Sequence, residues 1–317
     1  MKLALIYDKE DHKLQNTSYS WTYKGMLDAL IKRFEDVTHI HNDCYAEDID
    51  ADVIIFYDVH STHHIRIDNI RRHPALKMEY FTDPNQNEAK GFHRQFSKEV
   101  HKLGRKQRIE RIFERGARYI ISPYRDGYYK WLREFLGSDA ESMLLWFPIS
   151  PALEPHHKPI AYRKHEVLAN GAIRDGGIGA YDFRRWAFQQ PGLTLIPHWI
   201  EDKETPAGME YMDFLLGYAG ALALHEMFPV PKYFEMPMAG CVTFAQYYPE
   251  YEELGFKDYE SCVYVNKDNF NDRISDFLAH PQDFQNVADA GRNLVKSKYT
   301  AKHFADFIYN KADTHGI

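Results

Sequence analysis

Short apolar runs alternate with amphipathic stretches along the first half of the chain. The apolar runs that predict strands are LALIY (3–7), VTHIH (37–41), ADVIIFYDVH (51–60), LKMEYFT (76–82), ARYIISP (117–123) and MLLWFPI (143–149). The stretches with apolar positions at helical spacing include WTYKGMLDALIKRF (21–34), QRIERIFERG (107–116) and YYKWLREFLG (128–137). Continuous apolar strands that alternate with helices predict a parallel sheet covered by helices on both faces.

The same pattern restarts after a proline-rich segment, FPISPALEPHHKPI (147–160), which predicts a hinge. The later strand candidates are HEVLANG (165–171), LTLIPHW (193–199), CVTFAQ (241–246) and CVYVN (262–266). Helical stretches around a short strand are predicted within 209–227, and the tail is helical, with a last helix beginning near Thr300. The chain is therefore predicted to form two α/β domains, 1–150 and 151–300, followed by a C-terminal helix at 301–317.

Composition narrows the class of protein. The chain has 317 residues, enough for two domains of about 150 residues each. Its net charge is −7 and it has no long basic run, so a nucleic-acid partner is not indicated. Three cysteines without metal-ligand spacing predict reduced thiols in the cytoplasm. No apolar run approaches the ~18 residues of a membrane span.

The segment PKYFEMPMAG (231–240) places one carboxylate inside an apolar decamer. Pro231 suits a helix start, where free backbone N–H groups attract anions and Lys232 adds a charge. Glu235 follows one turn later, and Gly240 ends the helix. Such a helix start suits a diphosphate, and the carboxylate suits the 2′,3′-diol of a ribose. The alternative is an ordinary amphipathic helix with a Lys–Glu pair on its surface.

A second candidate for chemistry is NGAIRDGGIGAYDFRRW (170–186), which has four glycines between a strand and a helix. Glycine lets the backbone approach a ligand closely, and Arg174, Arg184 and Arg185 suit a phosphate. The glycines do not form a clean GxGxxG, so a nicotinamide fingerprint is a weak match. The alternative is a flexible loop between strand and helix.

The segment DVHSTHH (58–64) is a candidate metal site, because Asp58, His60, His63 and His64 lie at the end of a predicted strand or just after it. The chain has 17 histidines scattered along its length, and no cysteine joins this group. No metal is therefore expected at this segment. Contact of His60 or His63 with an acceptor substrate is an alternative of about the same weight as metal binding.

The second half of the chain resembles a known family. The segments that carry the resemblance are GAYDFR (179–184), KYFEMPMAGCVTF (232–244), YPEYEELGF (248–256), DRISDFLAHPQDFQNVADAGRNLV (272–295) and KYTAKHFADF (298–307). Together they resemble the C-terminal half of GT-B glycosyltransferases, in particular the CgeB-like and glycosyltransferase group 1 families. The resemblance covers roughly the last 140 residues and is looser in the first half.

The resemblance implies two Rossmann-like domains that face each other across a cleft, with the C-terminal helix crossing back to the first domain. It implies that the second domain binds a nucleotide-diphosphate sugar without a metal or other cofactor. By position, Glu235 would bind the ribose, and Lys232, Arg184 and Arg174 the diphosphate. The full set of predicted donor-binding residues is Gly171, Arg174, Arg184, His198, Lys232, Tyr233, Glu235 and Gly240.

The catalytic residues are less well indicated. Asp83, in YFTDPNQ, follows a strand and is a candidate base, although an Asp before Pro84 is also typical of a turn. Glu226 lies nine positions before Glu235, which departs from the glutamate spacing of many retaining enzymes and leaves the stereochemistry undecided. His198, with Trp199, is placed to contact a nucleobase.

The predicted function is therefore transfer of a hexosyl or related group from a nucleotide sugar to a hydroxyl acceptor. Two alternatives remain open: a nucleotide-sugar epimerase, and a non-catalytic two-domain module that binds a nucleotide or small phosphorylated ligand. The sequence indicates neither the acceptor nor the oligomeric state.

Overall fold

Two parallel sheets dominate the computed structural model, which describes residues 1–11, 14–15, 21–57, 65–81, 109–171, 181–197, 206, 208–225 and 228–315. The strands are β1 (Lys2–Ile6), β2 (Asp36–Ile40), β3 (Cys44–Tyr45), β4 (Val53–Phe56), β5 (Ile67–Asp68), β6 (Leu76–Tyr80), β7 (Tyr119–Ser122), β8 (Leu144–Trp146), β9 (Lys164–Gly171), β10 (Leu193–Pro197), β11 (Tyr218–Ala223), β12 (Val242–Gln246) and β13 (Val263–Val265).

The helices connect and cover these strands. They are α1 (Thr22–Arg33), α2 (109–115), α3 (Arg125–Leu136), α4 (Asp139–Met143), α5 (Asp182–Ala187), α6 (Met209–Leu215), α7 (Lys232–Met238), α8 (Pro249–Glu253), α9 (Phe270–Ala279), α10 (Gln285–Lys298) and α11 (Ala301–Asp313). Among the described residues, none of these helices is long and apolar enough to cross a membrane.

The first sheet has the strand order β2-β1-β4-β6-β7-β8, and the second has the order β10-β9-β11-β12-β13. Every pairing in both sheets is parallel. The central strands are buried along their whole length, as VIIF of β4 shows, because helices cover both faces of a parallel sheet. The two-sheet α/β architecture predicted from the apolar runs is confirmed. The domain limits at residues 150 and 300 stay a prediction.

The C-terminal helix α11 packs on the first domain. Its Phe304, Ala305 and Ile308 share one apolar core with Met26 and Leu30 of α1. Thr300 caps the helix start, and the His303 side chain completes the reciprocal capping pair. The predicted return of this helix to the first domain is therefore confirmed.

The segment around β11 is the strand that the sequence indicated least clearly. Four of its six residues, YAGALA, are alanine or glycine. The strand nevertheless lies between β9 and β12, near the middle of the second sheet. A side chain at Gly220 would meet Phe244, Phe277 and Val167 at 3.0–3.1 Å, so larger neighbours fill the space. The short strand predicted within 209–227 is therefore present, and its alanines and glycine leave the space that larger neighbours fill.

Candidate functional site

Four elements of the second domain meet at one edge of its sheet. They are the end of β9, the start of α5, the residues just after β11, and the start of α7. The strands are parallel, so their carboxyl ends lie together at this edge, and ligands of open α/β sheets bind there.

Two buried cations lie side by side at this edge. Lys232 is 8% exposed, and its Nζ donates to Oδ1 of Asn170 at 2.9 Å and also to the Asn170 carbonyl. Arg184 is 6% exposed, and its Nε donates to the Leu224 carbonyl at 3.0 Å. A Cβ built on Gly171 would lie 2.6 Å from Lys232 Nζ and 3.4 Å from Arg184 Nη1. Both cations therefore reach the backbone at Gly171 because that residue has no side chain.

The electrostatics of this pair favour an anion. Burial lowers the pKa of Lys232 well below its usual value, the charge of Arg184 lowers it further, and Glu235 raises it. Two cations held together away from water destabilise each other, and a bound anion would relieve that cost. The edge is thus suited to a phosphate group.

Glu235 lies one turn further along α7 and is 3% exposed. Its Oε1 accepts a hydrogen bond of 2.9 Å from the Thr22 hydroxyl, at the start of α1 in the first domain. The carboxylate therefore lies where the two domains touch. The alternative of a Lys–Glu pair on the surface of an amphipathic helix is wrong, because both side chains are buried.

Tyr233 and Gly240 occupy different surroundings on the same helix. The phenol of Tyr233 is fully buried, its ring packs edge-on against Tyr251 at 5.0 Å, and burial keeps its pKa well above the usual value. Its hydroxyl lies near the backbone N–H groups of His225 and Gln246, at the same carboxyl edge as Lys232. Gly240 lies at the opposite, amino-terminal edge with φ of 77°, where a Cβ would be 2.8 Å from Arg163 Nη2. The structure does not bring Gly240 together with the other candidates.

His225 was missed by the sequence analysis. It lies two residues after the end of β11, and its ring lies 4.7 Å from that of Phe228 and 6.2 Å from that of Tyr181. Burial, aided by the charge of Arg184, lowers its pKa to about 3, so the imidazole is neutral at physiological pH. Its position at the end of the run ALAL was the available signal, since polar residues that follow a strand reach this edge.

Comparison with known proteins identifies the architecture. Residues 178–310 match the family model described as glycosyl transferase-like. Anabaena HepE, solved with UDP and glucose, has a TM-score of 0.60 and 10% identity, covering 99% of this chain and 100% of its own. T4 phage BGT, solved with UDP and Mn²⁺, has a TM-score of 0.55 and 13% identity, covering 98% and 99%. The chain has the GT-B fold. No curated protein matches it.

The GT-B fold and the glycosyltransferase resemblance of the second half are thereby confirmed, while the narrower CgeB-like assignment stays a prediction. Several predicted residues lie outside the described part of the GT-B structure: Asp83, Arg174, His198, Glu226, and the histidine group at 58–64. Within the described ranges, no cluster of three or more His, Cys, Asp or Glu side chains is placed to hold a metal ion.

Proposed function

We propose that this protein is a glycosyltransferase that moves a sugar, hexosyl or related, from a nucleotide-diphosphate donor to a hydroxyl acceptor. The observation that carries the proposal is the pair of buried cations, Arg184 and Lys232, against the bare backbone of Gly171, one turn from a buried carboxylate. The glycosyl transferase-like match at 178–310 supports it, because that match contains Arg184, Lys232 and Glu235.

The proposed roles follow from charge and position. In glycosyl transfer from such a donor the diphosphate leaves, and its developing negative charge must be stabilised. Arg184 and Lys232 supply fixed positive charge, and Gly171 lets the phosphates approach the strand end. Glu235 accepts hydrogen bonds from the ribose hydroxyls. The neutral His225 ring, beside Arg184, can donate an N–H to the same phosphates without adding charge.

We propose that the donor binds without a metal, since two cations already face the diphosphate position. HepE and BGT were both solved with UDP, which makes UDP the first nucleotide to test, and BGT was solved with Mn²⁺, so metal dependence needs a direct measurement. The free thiols of Cys44, Cys241 and Cys262 are consistent with the cytoplasmic location we propose. The acceptor is proposed to bind the first domain, across the cleft from the donor.

A thermal-shift panel tests the proposal. UDP, GDP, ADP, CDP and dTDP, with their sugars, are added to wild type and to Glu235→Ala, with EDTA or with Mn²⁺. One nucleotide at 100 times its Kd should stabilise the wild type by about 2.7 kcal/mol, and the variant should lose most of that ligand-induced shift. If none of these nucleotides shifts the wild type in either buffer, the proposal is wrong.

Turnover then separates the enzyme from its rivals. A glycosyltransferase releases the nucleoside diphosphate from its sugar when the acceptor is present, and slowly to water when it is absent. An epimerase converts the donor to an isomer without releasing the diphosphate. A binding module shows the thermal shift and leaves the donor intact.

A further inference from the structure

Glu235, the carboxylate proposed to bind ribose, already accepts a hydrogen bond from a hydroxyl group of the protein. Thr22 donates to Glu235 Oε1 at 2.9 Å, and the two side chains are 2% and 3% exposed. Thr22 begins α1 of the first domain, whereas Glu235 lies on α7 of the second. The hydrogen bond therefore exists only while the domains have this arrangement.

On the side of the first domain, the described residues around Glu235 leave no room for a sugar. Trp21 packs directly onto Gly208, where a Cβ would lie 2.5 Å from the indole ring. The remaining void, bounded by Trp21, Thr22, Glu235 and the hinge residues 151–153, holds about 10 Å³. A space of that size admits about one water molecule. Through this void, a ribose reaches the carboxylate only after Thr22 and Trp21 move away.

The chemistry of the two partners is the same. A threonine hydroxyl and a ribose hydroxyl both donate O–H to a carboxylate oxygen, and a buried carboxylate needs such a donor. In the arrangement described here the first domain supplies it. Donor binding at Oε1 exchanges one hydroxyl for another, so the gain from the ribose contact is reduced by the contact that is lost.

We propose that Thr22 is an affinity-determining residue of the donor site: its hydroxyl occupies Glu235 in the ligand-free protein, and the donor ribose displaces it. The proposal rests on the proposed function, because it takes Glu235 as the ribose ligand. The apparent Kd then equals the intrinsic Kd divided by the fraction of molecules in which Thr22 does not occupy Glu235. Removing the hydroxyl favours the arrangement that can bind the donor.

The test compares the affinities of UDP and of pyrophosphate, measured by calorimetry, in wild type and Thr22→Val. Valine keeps the shape of threonine and removes the hydroxyl. Thr22→Val should bind UDP about ten-fold more tightly than wild type, since the lost hydrogen bond involves a charged group. Its affinity for pyrophosphate, which has no ribose, should not change. Thr22→Ala serves if the valine variant does not fold.

A matched control is Thr194→Val. Thr194 on β10 also donates to a glutamate, Oε2 of Glu166, at 2.6 Å, within the second domain. This variant should bind UDP like the wild type, which shows that the gain belongs to the Thr22 position.

The outcomes separate this proposal from the proposed function. If UDP binds wild type and weakens in Glu235→Ala, but Thr22→Val binds UDP no more tightly than wild type, the role of Thr22 is refuted and the donor site stands. An equal gain for UDP and pyrophosphate also refutes it, because competition would then not be at the ribose. If UDP binds neither wild type nor Thr22→Val, and the other nucleotides also fail, the donor site itself is wrong.

Discussion

The two edges of the second sheet have similar groups, buried cations beside a glycine, but these groups make different contacts. Each edge has two buried cations and a glycine with positive φ beside them. At the carboxyl edge these are Arg184 and Lys232 with Gly171, and at the amino edge they are Arg163 and Arg292 with Gly240. The helix α7 runs from one edge to the other.

At the amino edge the arginines join separate parts of the chain. Arg163 donates to the carbonyls of Lys158 at 2.7 Å and Ala239 at 2.8 Å. Arg292 donates to the Pro155 carbonyl at 2.8 Å and to that of Met238. The end of α7 is thus fixed to the hinge segment. Arg163 and Arg292 therefore have a structural role, although they are buried to a similar extent as Arg184 and Lys232.

The comparison teaches that neither burial of a cation nor a neighbouring glycine marks a binding site. What distinguishes Arg184 and Lys232 is the edge: they lie beyond the carboxyl ends of parallel strands, beside the other domain, where ligands of this architecture bind. The same chemical groups at the amino edge are covered by the hinge and by α10. Matched variants at the two edges test whether the carboxyl edge binds the donor and the amino edge only stabilises the fold.

The largest effect is expected for the cations. Lys232→Met should weaken UDP binding about 100-fold, because a charge-assisted contact to phosphate is lost, with little loss of stability since a buried charge is removed as well. Arg292→Met should instead cost about 2–4 kcal/mol of unfolding free energy, because buried carbonyls lose their donors. Its UDP affinity should stay within about three-fold. Calorimetry and urea unfolding measure the two quantities.

Equal losses of UDP affinity in both variants, each shown to be folded, would mean that the edges are not functionally distinct. The proposed assignment of Lys232 to the diphosphate would then fail.

The glycines provide a smaller, sharper contrast. Gly171→Ala should weaken UDP binding about ten-fold, because its Cβ would displace Lys232 Nζ and its φ of 126° is unfavourable for alanine. Gly240→Ala should lower the unfolding free energy by about 1–2 kcal/mol, because its φ of 77° ends α7. The UDP affinity of Gly240→Ala also tests the prediction that Gly240 binds the donor. An affinity equal to that of the wild type excludes Gly240 from the donor site.

The sequence predicted those features of the two edges that depend on neighbouring residues in the chain. Proline at the start and glycine at the end bounded α7, and apolar runs located the strands whose ends form the site. The sequence could not show that Lys232 and Glu235 are buried, since a helix with one polar pair looks the same on a surface. Glu235 is covered by the first domain through Thr22, 213 positions away. Lys232 instead lies against Asn170 and Gly171 of β9.

Another contact between the domains was also hidden from sequence patterns. Glu250 and Glu253 lie on the short helix α8, which was not predicted as a helix, and they meet the start of α3. Glu253 pairs with Arg125, while Glu250 accepts the backbone N–H of Asp126. Only the topology places these segments together, because 124 positions separate Asp126 from Glu250.

Of these two carboxylates, Glu250 gives the last prediction, a dependence of stability on pH. Burial raises the pKa of Glu250 from 4.5 to about 7, although the Asp126 N–H opposes the shift, whereas Arg125 lowers the pKa of Glu253. Between pH 4.5 and 7 the folded protein therefore binds more protons at Glu250 than the unfolded chain does. Its contribution to the unfolding free energy must fall as pH rises through this window and level off above it.

Glu250→Gln keeps an acceptor for the Asp126 N–H and cannot titrate. The unfolding free energy of wild type minus that of the variant should decrease from pH 5 to pH 7, by at most about 1.4 kcal/mol per pH unit, and stay constant from pH 8 to pH 9. Urea unfolding at each pH measures it, and subtraction removes the titration of all other groups. Parallel curves would show that Glu250 is ionised in the folded protein, and the carboxyl edge would then hold the first domain through a charged contact on both carboxylates.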